Sequence, residues 1–122
     1  MRVPSRPWAE IAADYREMKW GAPMAELVEH IAASPYAELI HAFTSAHTLY
    51  VGQTPVLDWQ VQVLRIEPDL RGGEIARLLF EFIEHPDVER RWKRECAPED
   101  GIATFERFLR AQRWIVELPP PA

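Results

Sequence analysis

From Trp8 onward the apolar positions Trp8, Ile11, Ala12, Tyr15 and Met18 recur three and four residues apart, which is one face of a helix. Pro7 suits a first helical position, so the pattern predicts a helix from Pro7 to about Lys19. The run "WGAP" then interrupts it, with Gly21 suited to a C-cap and Pro23 to the start of the next element. A second helix is predicted over Pro23–Ala33. Met24, Leu27, Val28 and Ile31 line one side of it, and Glu26, Glu29 and His30 the solvent side. Ser34 and Pro35 repeat the start signal, and Tyr36, Leu39, Ile40 and Phe43 share a face, which predicts a third helical segment.

The period then changes. "HTLYVG" carries Thr48, Leu49, Tyr50 and Val51, side chains that suit a half-buried pleated surface, and Gly52–Pro55 end the run as a turn. "LDWQVQVLRIEPD" alternates: Trp59, Val61 and Val63 point one way and Gln60 and Gln62 the other, until Leu64 and Ile66 shift the pattern by one residue. A bulge near Val63 or Leu64 accounts for the shift.

"LRGGEIARLLFEFIEHPD" is ambiguous. Ile75, Leu78, Leu79, Phe82 and Ile83 share a helical face, with Glu74, Arg77, Glu81, Glu84 and His85 opposite. Two strands alone, however, make a marginal sheet, and "PDLRGG" supplies the turn residues that return the chain as a third antiparallel strand. We adopt the strand, with Ala76, Leu78, Phe80 and Phe82 toward the core and Arg77, Leu79, Glu81 and Ile83 outward or against a partly covering element. "EHPDVE" is then a turn. In "VERRWKREC", Val88, Arg90, Trp92, Arg94 and Cys96 alternate with Glu89, Arg91, Lys93 and Glu95, a fourth strand whose charges fit a sheet edge. On that strand Trp92 is expected to be at least half buried near Phe105 or Phe108. Pro98 opens a C-terminal helix with Glu99 and Asp100 in its first turn, and Ile102, Phe105 and Leu109 form its buried stripe. The tail residues 119–122 are proline-rich and expected to be extended and flexible. The fold class expected is α+β, an antiparallel meander of about four strands with N-terminal helices and a C-terminal helix packed on it, in one domain over 1–118.

Composition narrows the function. A length of 122 residues suits one core, and 48% hydrophobic with 27% charged residues is ordinary for a globular chain. The apolar runs fall short of a membrane span and the N-terminus lacks an export signal, so the expectation is a cytoplasmic protein with no membrane partner. A net charge of −5 argues against nucleic acid as a partner. The charge is uneven: Val88–Arg113 holds seven basic and five acidic residues, a local +2 that leaves −7 on the remainder.

Candidate chemistry is sparse. Cys96 with His41, His47 and Asp58 has no nucleophile signature. His30, His41, His47 and Asp58 lack metal-ligand spacing, so neither metal nor cofactor is expected. "RGGE" lacks the remaining glycines and the lysine of a phosphate loop and reads as a hairpin turn. The unusual cluster is "RRWKRE", where Arg91, Lys93 and Arg94 surround Trp92. Such a cationic ring around an aromatic anchor suits an acidic protein partner. The expected function is a non-enzymatic protein-interaction module that binds through Arg91, Trp92, Lys93 and Arg94, and a homo-oligomer is left open. The alternative is a small-molecule-binding protein or enzyme with a pocket between helices and sheet, lined by His41, His47, Tyr50 and Trp59.

Overall fold

The computed structural model describes residues 2–89 and 91–115. In chain order the elements are β1 (Arg2–Pro4), α1 (Trp8–Glu17), α2 (Ala22–Ala32), β2 (His41–Ser45), β3 (Thr48–Gly52), β4 (Val56–Asp58), β5 (Val63–Arg71), β6 (Glu74–Ile83) and β7 (Lys93–Cys96), then a 3-10 turn at Pro98–Asp100 leading into α3 (Gly101–Ala111). The class is α+β. Five strands form an antiparallel sheet in the order β2-β3-β5-β6-β7, and β1 pairs with β4 in a separate two-stranded sheet. No described helix is long and apolar enough to cross a membrane.

The main core lies between the three helices and one face of the sheet. Ile11 and Tyr15 of α1, Met24, Leu27, Val28 and Ile31 of α2, and Phe105, Phe108 and Leu109 of α3 meet Leu49, Val51, Leu64, Ile66, Leu78, Phe80 and Phe82 there. On the other face a smaller cluster of Phe43, Leu57, Val63 and Ile83, flanked by Val3, Tyr50 and Trp59, packs toward the β4 side. No described element covers the rest of that face. Arg6 ties α1 to the sheet: its guanidinium reaches Glu10 and Asp14 at 2.7 Å each and donates to the Thr44 hydroxyl at 3.1 Å.

Both predicted N-terminal helices and the C-terminal helix form, as do the strands at 48–52 and 74–83. The third helical segment does not. Ser34 closes α2 instead of opening a new helix, because its hydroxyl and its amide both donate to the Ile31 carbonyl, at 2.6 and 3.0 Å. Trp8 donates its indole N–H to the carbonyls of Ala37 and Ile40, which a helix would have used itself, and the chain enters β2 at His41. Tyr36, Ile40 and Phe43 are buried all the same, while Leu39 is 60% exposed.

The strand expected from Leu57 splits at a sharp corner. β4 ends at Asp58, whose carboxylate accepts the Gln60 amide at 2.9 Å, and Gln62 takes a positive φ of 53° before β5 starts at Val63. This corner, rather than a bulge at Val63 or Leu64, shifts the alternation. The bulge lies further on: Asp69 faces Arg77 but Leu70 faces Ile75, so Ala76 is the unmatched residue. Ala76 is therefore exposed and Ile75 takes the core position assigned to it, while Ile83, on the second face as expected, is buried against the partly covering cluster of Phe43, Leu57 and Val63. The meander of about four strands is a five-stranded sheet because β2 occupies the place of the third helix.

Two tight hairpins set the register. Gly72 and Gly73, with φ of 60° and 81°, join β5 to β6 in the left-handed conformation that glycine adopts freely. Between β2 and β3 the same two positions are Ala46 and His47, with φ of 49° and 71°. A side chain there is strained, and the turn is held from below by the Tyr15 hydroxyl, which donates to the His47 carbonyl at 2.7 Å. Ala46→Gly is expected to stabilise the protein by about 1 kcal/mol, read as a higher urea midpoint at unchanged slope.

Candidate functional site

Strand alternation divides the "RRWKRE" cluster between two sides of the sheet. The Phe82 amide donates to the Trp92 carbonyl at 2.9 Å and Phe80 pairs with Arg94, so Trp92 and Arg94 lie on the helix side. Trp92 is partly buried, its ring edge-to-face with Phe108 at 5.1 Å, as the sequence predicts. Phe108 also meets Trp114 at 4.9 Å and Phe82 at 5.2 Å, so four rings form one aromatic cluster at the β7 end. The Arg94 guanidinium sits 4.9 Å from the Trp92 ring centroid and donates to the Lys93 carbonyl at 2.7 Å. Arg90, expected beside Trp92, lies outside the described residues, as does the 119–122 tail.

Arg91 and Lys93 face the open side. Each makes an ion pair with Glu81, at 3.3 Å in both cases. Across the sheet Phe43, Tyr50, Arg65, Glu81 and Lys93 are successive cross-strand partners, one from each strand. Phe43 and Tyr50 stack at 4.8 Å, and Arg65 reaches Glu67 at 3.3 Å. In the next row Arg77 holds Glu95 at 2.6 Å and approaches Asp69 at 3.5 Å. The open face is thus polar with its acids largely neutralised by neighbouring cations. A depression of about 150 Å³ lies between Arg65, Glu67, Leu79, Glu81, Lys93 and Glu95.

A second depression, of about 400 Å³, lies on the helix side between β7 and α3, bounded by Arg94, Cys96, Asp100, Thr104 and Arg107. Arg94 and Arg107 make no ion pair among the described residues. Burial pushes the Cys96 thiol up from its ordinary range, which keeps it protonated and unreactive.

The four residues predicted to line a pocket are dispersed. His47 sits in the β2–β3 turn with its ring 5.1 Å from Trp20, on the helix side, whereas Tyr50 and Trp59 pack against the smaller cluster across the sheet. His41 starts β2, opposite Gly52. The space between helices and sheet is filled by buried side chains. A cleft of about 350 Å³ does exist, lined by Arg2, Asp58, Gln62, Val56 and Val61 among others, but it is at the β4 hairpin. No group of three or more His, Cys, Asp or Glu among the described residues is placed to hold a metal ion.

One polar node was not foreseen. Glu106 of α3 accepts from the Tyr36 hydroxyl at 2.9 Å and contacts Nε2 of His30 on α2 at 2.8 Å, so His30 is not simply solvent-facing. Burial alone would raise the Glu106 carboxyl, but the hydrogen bonds from His30 and Tyr36 outweigh it and hold the carboxyl below its usual range. Burial and this neighbouring carboxylate push the Tyr36 hydroxyl up, so it stays a donor. A lowered carboxyl stabilises the fold fully above its ordinary value of 4.5 and ceases to as pH falls through its folded value. Glu106→Gln should therefore show a flatter loss of stability between roughly pH 5 and pH 3 than the unaltered chain, measured by urea unfolding across that range.

Comparison with protein-family models, with curated proteins and with solved structures finds no match to this chain.

Proposed function

We propose that the protein is a non-enzymatic interaction module that binds an acidic protein partner through the β7 end of its sheet, with Arg91, Trp92, Lys93 and Arg94 at the centre. The observation that carries this is the placement of Trp92. Its ring is anchored on Phe108 and overlaid by Arg94 at an edge of the sheet that no other described strand covers. A rigid, partly exposed tryptophan next to arginine is the kind of residue pair that dominates binding energy at protein interfaces. The proposal takes the cytoplasm as the place of action, where the single thiol of Cys96 stays reduced.

The test has to respect the ion pairs. Reversing both Arg91 and Lys93 would set two further carboxylates beside Glu81 and disturb the sheet, so neutral replacement is the cleaner change. Partners captured from extract of the native cell should be identified with the unaltered protein and then measured against Arg91→Gln/Lys93→Gln. The double variant is expected to melt close to the unaltered protein and to bind about tenfold more weakly at low salt, with the difference shrinking as salt rises. Equal binding by the two proteins at low salt would overturn the proposal.

A further inference from the structure

The two edges of the five-stranded sheet are not alike. At the β2 edge the N-terminal segment covers the backbone at Ala42: the Arg6 amide donates to the Ala42 carbonyl at 2.8 Å, and Arg6 and Ala42 form an antiparallel bridge. The β7 edge has no such cover among the described residues. Its hydrogen-bonding phase follows from the bond between Phe82 and Trp92. In an antiparallel ladder bonded and non-bonded pairs alternate, so the backbone of Arg94 and Cys96 is directed at β6, and the amides and carbonyls of Lys93 and Glu95 are directed outward. The Arg94 side chain confirms the direction by donating to the Lys93 carbonyl from outside.

The two depressions flank this strand. One is on the open face beside Arg65, Glu81 and Lys93, the other on the helix side between Arg94, Thr104 and Arg107. A strand laid along β7 would send successive side chains alternately toward one and then the other. Charge decides which side chains fit. On the open face the charges balance in pairs: Arg65 reaches Glu67, Glu81 is shared by Arg91 and Lys93, and Glu95 is held by Arg77. On the helix side Arg94 and Arg107 make no ion pair among the described residues, although Asp100 and Glu95 line the same groove, so that is the side with cations left to pair.

We infer that the edge strand β7, with its outward Lys93 and Glu95 backbone and two arginines without an ion pair on its helix side, receives an extended acidic segment of a partner protein as a sixth strand of the sheet. The inference rests on the proposed function and adds how the partner is held. Backbone hydrogen bonds to Lys93 and Glu95 supply the attachment, and carboxylates on alternate residues of the segment, reaching Arg94 and Arg107 on the helix side, supply selectivity. The incoming strand displaces the Arg94 guanidinium from the Lys93 carbonyl and offers it a carboxylate instead, which is the stronger acceptor.

The test uses the whole chain and a defined probe, the acetylated and amidated hexapeptide Glu-Val-Glu-Val-Glu-Val, titrated while backbone amides are followed by nuclear magnetic resonance. Binding is expected to slow hydrogen exchange at the amides of Lys93 and Glu95 and to leave the β2 amides unchanged. The same hexapeptide N-methylated at every residue keeps its charge but loses its backbone donors, and is expected to bind at least about tenfold more weakly. On the protein, Glu95→Pro removes an amide that β6 does not use, and should weaken binding by a similar factor relative to Glu95→Ala, with both variants folded. Equal affinity of the two peptides, or equal binding by the proline and alanine variants, overturns strand addition while leaving charge-driven docking as proposed above. Failure of the unmethylated hexapeptide to bind at millimolar concentration, or protection at β2 instead of β7, overturns it as well. Loss of partner capture in Arg91→Gln/Lys93→Gln reports separately on the proposed function.

Discussion

Phe80→Ala is expected to destabilise the protein by about 3–5 kcal/mol, the range for emptying a buried aromatic site. Phe80 is 2% exposed in the middle of β6, between Ile66 of β5 and Arg94 of β7, with its ring on the helix side of the sheet. Since domains of this kind are stable by only about 5–15 kcal/mol, the variant should lose a large part of its margin and unfold at a clearly lower urea concentration. Leu79→Ala on the opposite face of the same strand, where the side chain is only partly buried, should cost about 1 kcal/mol. If Leu79→Ala proved the more damaging of the two, the helix-side core described above would be on the wrong face.

Gly21→Ala is the second large effect. A Cβ at this position would stand 1.8 Å from the carbonyl oxygen of Tyr15, far inside contact distance. The glycine is required for space and not for its backbone angles, since its φ of −79° is open to any residue. It lets α2 start directly against the end of α1, where the Gly21 amide donates to the Met18 carbonyl at 3.0 Å. The added methyl must push the two helices apart, and Tyr15 with them, at a cost on the order of 3 kcal/mol. Because Tyr15 also supports the strained β2–β3 turn through His47, the damage should spread, and hydrogen exchange at Thr48 and Leu49 should accelerate in the variant. Unchanged exchange there together with an unchanged melting temperature would refute this account.

The helix-like spacing of Ile75, Leu78, Leu79, Phe82 and Ile83 has a specific origin in the sheet. The step of three from Ile75 to Leu78 is the bulge at Ala76, and Leu79 and Ile83 are apolar because the second face of β6 is partly covered too. A bulged strand buried on both faces thus imitates an amphipathic helix, and only the glycine pair before it and the need for neighbouring strands betray its form. The failure at Ser34 is of another kind. A serine after a helix and before a proline can close one helix or open the next, and the choice was made by Trp8, nearly thirty residues earlier, whose indole claims the loop carbonyls.

For the candidate site the sequence showed residue types but not neighbours. Arg91, Trp92, Lys93 and Arg94 are adjacent in the chain, so their division between two faces followed from strand alternation alone. Glu81 and Arg65, which neutralise and extend that cluster, could not be placed beside it. Counted from the Gly72–Gly73 turn without a bulge, Arg65 would face Phe80, and it is the extra residue Ala76 that brings Glu81 opposite it. Of His41, His47, Tyr50 and Trp59, strand register keeps His41 and Tyr50 on one face and Trp59 joins Tyr50 at the smaller cluster, while the β2–β3 turn carries His47 to the other side.

The Arg6 bridge bears on how far the sheet could extend. A sheet that can be extended at both edges is able to propagate into a filament, one molecule after another. Here the Arg6 amide already takes the Ala42 carbonyl of β2, so a strand arriving at that edge would have to displace it. Two copies meeting through β7 would instead form a closed pair related by a twofold axis, with a partly covered β2 strand at each end of the combined sheet.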